Sequence, residues 1–244
     1  MSVRSAIAKL AAGPHTLSRE ASHHLCRVLR LGKGDRFVAF DPETGMEADA
    51  TIDDASGDAA HVSIGHARPG NVVAETPIVL IYGLAKGDKV DSTVRDATEL
   101  GATRILIART VRSVAKVDSD RAGAKLERWR RIAEQAARQC GRADPPIIDG
   151  VLGWQEALDA AKDATARYCL WENATEPLGS TLLDRIRDGS PLAFAIGPEG
   201  GLSEGEVAEA QARGFATVSL GRFVLRTETV AAAVLGAVRI LGAR

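Results

Sequence analysis

Two stretches near the carboxyl end bring glycines, carboxylates and guanidinium groups together where a small ligand could be held and acted on. The first is Ile196-Gly197-Pro198-Glu199-Gly200-Gly201-Leu202-Ser203. It follows an apolar run and precedes a helical pattern whose start is marked by Ser203 and Glu206 at capping-box spacing. Three glycines at a strand's carboxyl end let a ligand approach the backbone closely, and open α/β sheets bind ligands at such ends. A tight turn would need the same glycines. Neither G-x-G-x-x-G nor G-x-x-x-x-G-K-[ST] is present, so a dinucleotide or phosphate cradle is unsupported. The second stretch is Leu220-Gly221-Arg222-Phe223-Val224-Leu225-Arg226-Thr227-Glu228-Thr229. Thr227 is placed to cap the last helix, with Glu228 in its first turn, where the helix dipole favours an anion. Arg226 stands at that same positive end, where a cation is disfavoured; an anionic ligand, or a partner such as Glu199, would resolve the conflict.

A third feature is an arginine stripe. At 100° per residue over 122–141, Leu126, Trp129, Ala133, Ala137 and Cys140 share one face, and Arg128, Arg131, Gln135, Arg138 and Arg142 the opposite one. Arginines in such a row suit bidentate phosphate contact and stacking on bases, although a solvated helix exterior gives the same pattern. Residues 104–142 hold 11 Lys+Arg against 4 Asp+Glu, so the remaining 20 basic and 28 acidic residues leave the rest of the chain at −8. A second basic block in residues 1–40 carries seven Lys+Arg, among them Arg4, Arg27 and Arg30, against Glu20 and Asp35. Two basic patches on an otherwise acidic chain suit a polyanion touched at two places. Adjacent His23 and His24 point apart on a helix and make a poor metal pair.

The elements that must position these groups fall into two patterns. Residues 17–31 predict a short helix capped by Ser18, and 36–40, 47–52 and 59–64 predict strands separated by turn-forming residues: a small antiparallel β unit. Residues 66–77 lack periodicity and read as a linker. Beyond them, apolar runs at 78–84, 105–108, 167–171, 192–196 and 216–220 predict parallel strands buried on both faces. Helical patterns at 89–100, 122–141, 155–161, 178–187, 204–213 and 228–241 alternate with them, giving an α/β domain with a mainly parallel sheet. With 244 residues, 45% apolar content and a net charge of −1, the chain can bury a sizeable core, which excludes disorder. No run approaches the roughly 20 apolar residues of a membrane span, and residues 1–12 lack the apolar core of a secretory signal. Cys26, Cys140 and Cys169 are odd in number and far apart, as expected of free thiols in a reducing cytoplasm.

In sequence order, His23-His24-Leu25-Cys26-Arg27-Val28-Leu29-Arg30-Leu31, Thr98-Glu99-Leu100-Gly101, Glu127-Arg128-Trp129 through Gln139-Cys140-Gly141-Arg142, Gly197–Gly201 and Leu225–Thr229 make the chain resemble the RsmE family. Its members methylate N3 of a uridine in small-subunit (16S) ribosomal RNA. The likeness spans nearly the whole length, and the last two motifs are its most specific part. Asp96 stands where the family generally has Lys, Val230 where it usually has Ala, and Cys140 where it often has Ser.

The resemblance implies a SPOUT-class methyltransferase domain over 78–244 whose carboxyl-terminal segment threads a trefoil knot. It also implies a PUA-like RNA-binding β-barrel over 1–70, a linker at 71–77, a homodimer, and S-adenosylmethionine as cofactor with no metal and no membrane. Ile196, Gly197, Glu199, Gly200, Gly201, Leu220, Gly221, Leu225 and Thr227 would hold that cofactor. For N3 methylation the uracil imide must lose its proton while charge spreads onto the ring carbonyls. Arg226, Arg112 or Arg142 would stabilise that charge. Glu199, Glu228 or water would take the proton. Arg4, Arg27, Arg30, Arg128, Arg131, Arg138 and Arg142 would hold RNA. A SPOUT enzyme acting on tRNA or a ribose, and a non-catalytic RNA-binding or ribosome assembly factor, are the alternatives.

Overall fold

A computed structural model of the chain describes residues 3–73, 76–113 and 119–242. Residues 74 and 75 of the expected linker, and Lys116 of the basic stretch, lie outside the described residues. The chain divides into two compact units, one built from Met1–Val72 with Ala137–Pro145, the other from Val73–Ala136 with Pro146–Arg244. The division places residues 137–145 with the amino-terminal unit, which an expectation of contiguous domains did not allow for.

In the first unit the strands are β1 (Arg4–Ala6), β2 (Gly13–Thr16), β3 (Arg36–Phe40), β4 (Met46–Asp54), β5 (His61–Ile64) and β6 (Arg68–Pro69). They form one sheet in the order β1-β3-β4-β5-β2, with β6 on β4. Alternation sets its buried face: in β5, Val62 and Ile64 point into a core with Leu17, Leu25, Phe37 and Ile52, while His61 and Ser63 face outward. The unit is not purely antiparallel, because β1 runs parallel to β3. The expected helix is split into α1 (Arg19–Ser22), whose cap Ser18 accepts the Ala21 N–H at 3.1 Å, and a π-helical segment, His23–Val28. Only Leu25 of that segment is buried, so Arg27 and Val28 are turned outward.

The second unit holds β7 (Ile78–Gly83), β8 (Arg104–Arg109), β9 (Ile147–Gly153), β10 (Ala166–Leu170), β11 (Leu192–Ile196) and β12 (Ala216–Val218). All pairs are parallel, in the order β12-β10-β11-β7-β8-β9. Helices α2 (Lys89–Glu99), α3 (Ser119–Cys140), α4 (Trp154–Asp159), α5 (Gly179–Arg187), α6 (Glu204–Ala212) and α7 (Thr227–Gly242) alternate with them. Both faces are covered. Leu192, Phe194 and Ile196 of β11 join Leu80, Tyr82 and Ile107 under α2, α3, α5 and α7. Ala193 and Ala195 face α4 and α6, where small side chains admit close approach. No described helix is long and apolar enough to cross a membrane.

Candidate active site

The site lies at the carboxyl ends of β10, β11 and β12, where a parallel sheet presents its loops to a ligand. A cleft of about 850 Å³, including its open mouth, is lined by residues 170–172, 196–202 and 218–225 with Thr227 and Val230. All nine residues named for the cofactor, Ile196, Gly197, Glu199, Gly200, Gly201, Leu220, Gly221, Leu225 and Thr227, line this one cleft. Glycine is required where the loops crowd. A Cβ on Gly197 would stand 2.9 Å from Leu202 Cγ and 3.0 Å from Gly201 C. Gly201 has φ +71°, and a Cβ there would lie 2.8 Å from Glu172 Oε1. Loop 171–178 and the carboxyl end of β12 with Ser219 are tied by Trp171 N–H to Val218 O (3.0 Å), Ser219 N–H to Glu176 O (2.8 Å) and Leu178 N–H to Ser219 O (3.0 Å).

The carboxylates have fixed partners. Glu199 Oε1 accepts the Lys86 backbone N–H at 3.0 Å and lies 3.4 Å from Lys89 Nζ. Burial alone would raise its pKa, but the backbone N–H groups of Glu199 and Lys86 and the Lys89 ammonium outweigh that and hold it below the usual carboxylate range. Glu199 therefore pairs with Lys89, not with Arg226. Glu228 Oε2 accepts the Thr227 hydroxyl at 3.1 Å and lies 3.8 Å from the same Lys89. Tyr82, fully buried, lies 2.9 Å from Thr227 Oγ1 through its hydroxyl, and burial pushes its phenol up against the opposing pull of that bond. Arg226 is exposed and forms no ion pair among the described residues. Arg112 donates to Gly200 O at 3.0 Å, and its loop is held by buried Glu206, which accepts Val111 N–H at 2.7 Å and Ser203 N–H at 2.9 Å.

Three arginines named from sequence are engaged elsewhere. Gly141, at φ +89°, ends α3, so Arg142 leaves the helical stripe. It is buried in the first unit, with Nε 3.2 Å from Asp144 Oδ1 and Nη2 donating to Asp144 O at 2.6 Å. That geometry takes it off the helical stripe, and it is not among the residues that line the cleft. Arg4 is nearly buried, pairing with Glu47 at 2.9 Å and lying 5.3 Å over the Phe40 ring, so it is a structural residue of β1. Arg128 clamps Asp91 of α2, its Nε donating at 2.9 Å, while Trp129 Nε1 donates to the other Asp91 oxygen at 3.1 Å. The stripe's first arginine thus has an acidic partner from a neighbouring helix. Arg131 and Gln135 are exposed on α3, and Arg138 is half-buried. In the first unit Arg27 and Arg30 are exposed, Arg30 at φ +60°. His24 is held below the ordinary histidine value, first by burial and then by Arg138 and His23.

Sequence reasoning missed Lys89, Tyr82, Glu172 and Trp171. A signal for Lys89 was present: a cation in the first turn of α2 opposes the helix dipole, as Arg226 does at α7.

Comparison with known proteins adds two family models. One described as RNA methyltransferase domain matches residues 73–239, and one described as RNA methyltransferase PUA domain matches 17–65. The ribosomal RNA small subunit methyltransferase E of Bacillus subtilis is 30% identical over 91% of this chain and 88% of its own length. The protein of that name from Mycobacterium tuberculosis is 33% identical over 91% and 84%. A crystal structure of the Neisseria gonorrhoeae ribosomal RNA small subunit methyltransferase E bound to S-adenosyl methionine superposes with a TM-score of 0.86 at 29% identity, covering 99% of this chain and 98% of that one.

Proposed function

The chain belongs to the ribosomal RNA small subunit methyltransferase E family, and from that premise we propose that it transfers a methyl group from S-adenosylmethionine to N3 of one uridine in small-subunit (16S) ribosomal RNA. The observation that carries this reading is the convergence of three loops at adjacent strand ends into one cleft, with an uncommitted guanidinium, Arg226, beside it. The cleft suits the cofactor. Gly197 and Gly201 let its loops pack closely, Gly221 has open space where a side chain would stand, Leu170, Ile196 and Val218 supply apolar walls, and Glu172 and Glu199 supply carboxylates for a cationic group.

When bound, the cofactor supplies the activated methyl group. The chain orients it, excludes water and shapes the charge around the base. Arg226 is the guanidinium assigned to the uracil carbonyl oxygens as their negative charge grows. Arg112 holds the 197–201 loop through Gly200 O. Either Glu199 or Glu228 takes the imide proton, and no metal is required. Residues 1–72 with 137–145 serve as the RNA-binding domain with Arg27, Arg30 and Arg138, and residues 73–136 with 146–244 as the transferase with Arg131. The reading includes a cytoplasmic homodimer and a threaded carboxyl-terminal segment. Exposed Val224 (81%), Ile240 (78%) and Phe223 (70%) give a second copy apolar surface to cover.

The test is incubation of purified protein and S-adenosylmethionine with unmethylated small ribosomal subunits, followed by mass-spectrometric mapping. A single N3-methyluridine is expected. Product confined to a base carbon or a ribose hydroxyl refutes the assignment.

A further inference from the structure

Lys89, the first residue of α2, stands between the two carboxylates that compete for the role of base. Its Nζ lies 3.4 Å from Glu199 Oε1 and 3.8 Å from Glu228 Oε2. Three segments far apart in sequence meet at this ammonium: residues 86–89, the 197–201 loop and the start of α7. The carboxylates are held unequally. Glu199 also accepts the Lys86 N–H at 3.0 Å, so it must give up well-placed donors before it can bind a proton.

Glu228 is held differently. Its closest donor is the Thr227 hydroxyl at 3.1 Å, and its distance to Lys89 is the longer one. A carboxylate only accepts, so Thr227 gives its own proton to Glu228 and must accept from the Tyr82 hydroxyl at 2.9 Å. With Tyr82 fully buried, this chain of bonds has one direction and a rigid root, and it aims Glu228 while leaving its side chain 25% exposed.

We propose that Lys89 is a positioning residue that commits Glu199 to latching the 197–201 loop and leaves Glu228 as the acceptor of the uridine N3 proton. The inference deepens the function proposed above and rests on it. In the step, Glu228 takes the N3 proton, and the electron pair left on N3 forms the bond to the methyl carbon. The carbon–sulfur bond breaks with its pair on sulfur, which cancels the sulfonium charge, and the carboxyl then returns its proton to solvent.

The experiment compares full-length Glu228→Gln, Glu199→Gln, Lys89→Gln and Lys89→Arg. Each is assayed for kcat and KM on unmethylated small subunits, and for S-adenosylmethionine affinity by calorimetry without RNA. Glu228→Gln is expected to lose about 100-fold or more in kcat, the scale of a general base, with cofactor Kd within about twofold of wild type. Glu199→Gln is expected to raise that Kd about tenfold, the worth of a charge-assisted bond, while kcat at saturation stays within about threefold. Lys89→Gln should raise Kd as Glu199→Gln does, and Lys89→Arg should restore it. Retention of more than about a third of kcat by Glu228→Gln overturns the proposal. So does a Glu199→Gln enzyme that loses kcat as deeply with Kd unchanged, or a Lys89→Gln protein of unchanged Kd. Should Lys89→Gln fail to fold, the two glutamate variants decide alone. A wild-type protein that methylates no uridine N3 removes the functional reading and this inference together; an active wild type with unsplit variants removes only the inference.

Discussion

Replacing Gly83 with alanine tests whether the 197–201 loop must rest on the end of β7. An added Cβ would stand 2.4 Å from Pro198 N, 2.6 Å from Pro198 Cδ and 2.8 Å from Gly197 C. Backbone and a proline ring offer no rotamer that relieves the clash, so the loop must retreat by roughly 1 Å to regain ordinary contact. Overpacking of this kind costs about 1–3 kcal/mol. Three short contacts put Gly83→Ala at the upper end, and a Tm loss of about 6–12 °C is expected for a chain of this size. A displacement of about 1 Å in groups that position a ligand can cost about 100-fold, so affinity for S-adenosylmethionine should fall at least about tenfold. Calorimetric titration and scanning calorimetry on one preparation read both effects. Gly123→Ala is the control, because that position on α3 has nothing within 4 Å of an added Cβ. It should gain about 0.5–1 kcal/mol from helix propensity with cofactor affinity unchanged. A Gly83→Ala protein with wild-type Tm and affinity would refute the claim that the loop is seated on β7.

Arg131→Ala should flatten the salt dependence of RNA binding by about 0.7 in log–log slope for one lost single-strand phosphate contact, whereas Arg128→Ala should change it less because Asp91 already holds that guanidinium. Binding titrations at several salt concentrations check this, and equal slopes for both variants would contradict it. Arg142→Ala should cost about 2–4 kcal/mol in urea denaturation, somewhat below a fully buried pair because Asp144 is 28% exposed, while kcat of the folded protein is unchanged. Burial pushes the Cys169 thiol up to about 12, so alkylation of the native protein at pH 8 should leave it unmodified until denaturant is added.

The second unit was largely legible in the sequence because its strands are short apolar runs between amphipathic helices, and β11 and α6 fall where the pattern places them. β9 escaped because Asp149 and Gly150 interrupt its apolar run. β1 and β2 escaped because Arg4-Ser5-Ala6 and Gly13-Pro14-His15-Thr16 carry almost no hydrophobic signal; their pairing partners make them strands. The cleft was legible through glycine, whose scarcity of side chain marks backbone crowding. The partners of its charges were not. Lys89 lies 110 residues from Glu199, and Asp91 belongs to a helix other than the one carrying Arg128, so periodicity along one element cannot reveal either pair. Arg142 was misread because helical geometry was carried one residue past the glycine that ends the helix.

The two-piece make-up of the amino-terminal unit bears on how it is born. Ala143 donates its N–H to Asn71 O at 2.8 Å, and a Cβ on Gly70 would meet that of Ala143 at 2.6 Å, so the late segment seals a seam left by the early one. At roughly 5–20 residues per second on the ribosome, the first piece waits about 3–13 s for the second. A graft that carries residues 1–72 alone would leave that seam open, and a transplantable version of this module must bring Ala137–Pro145 with it.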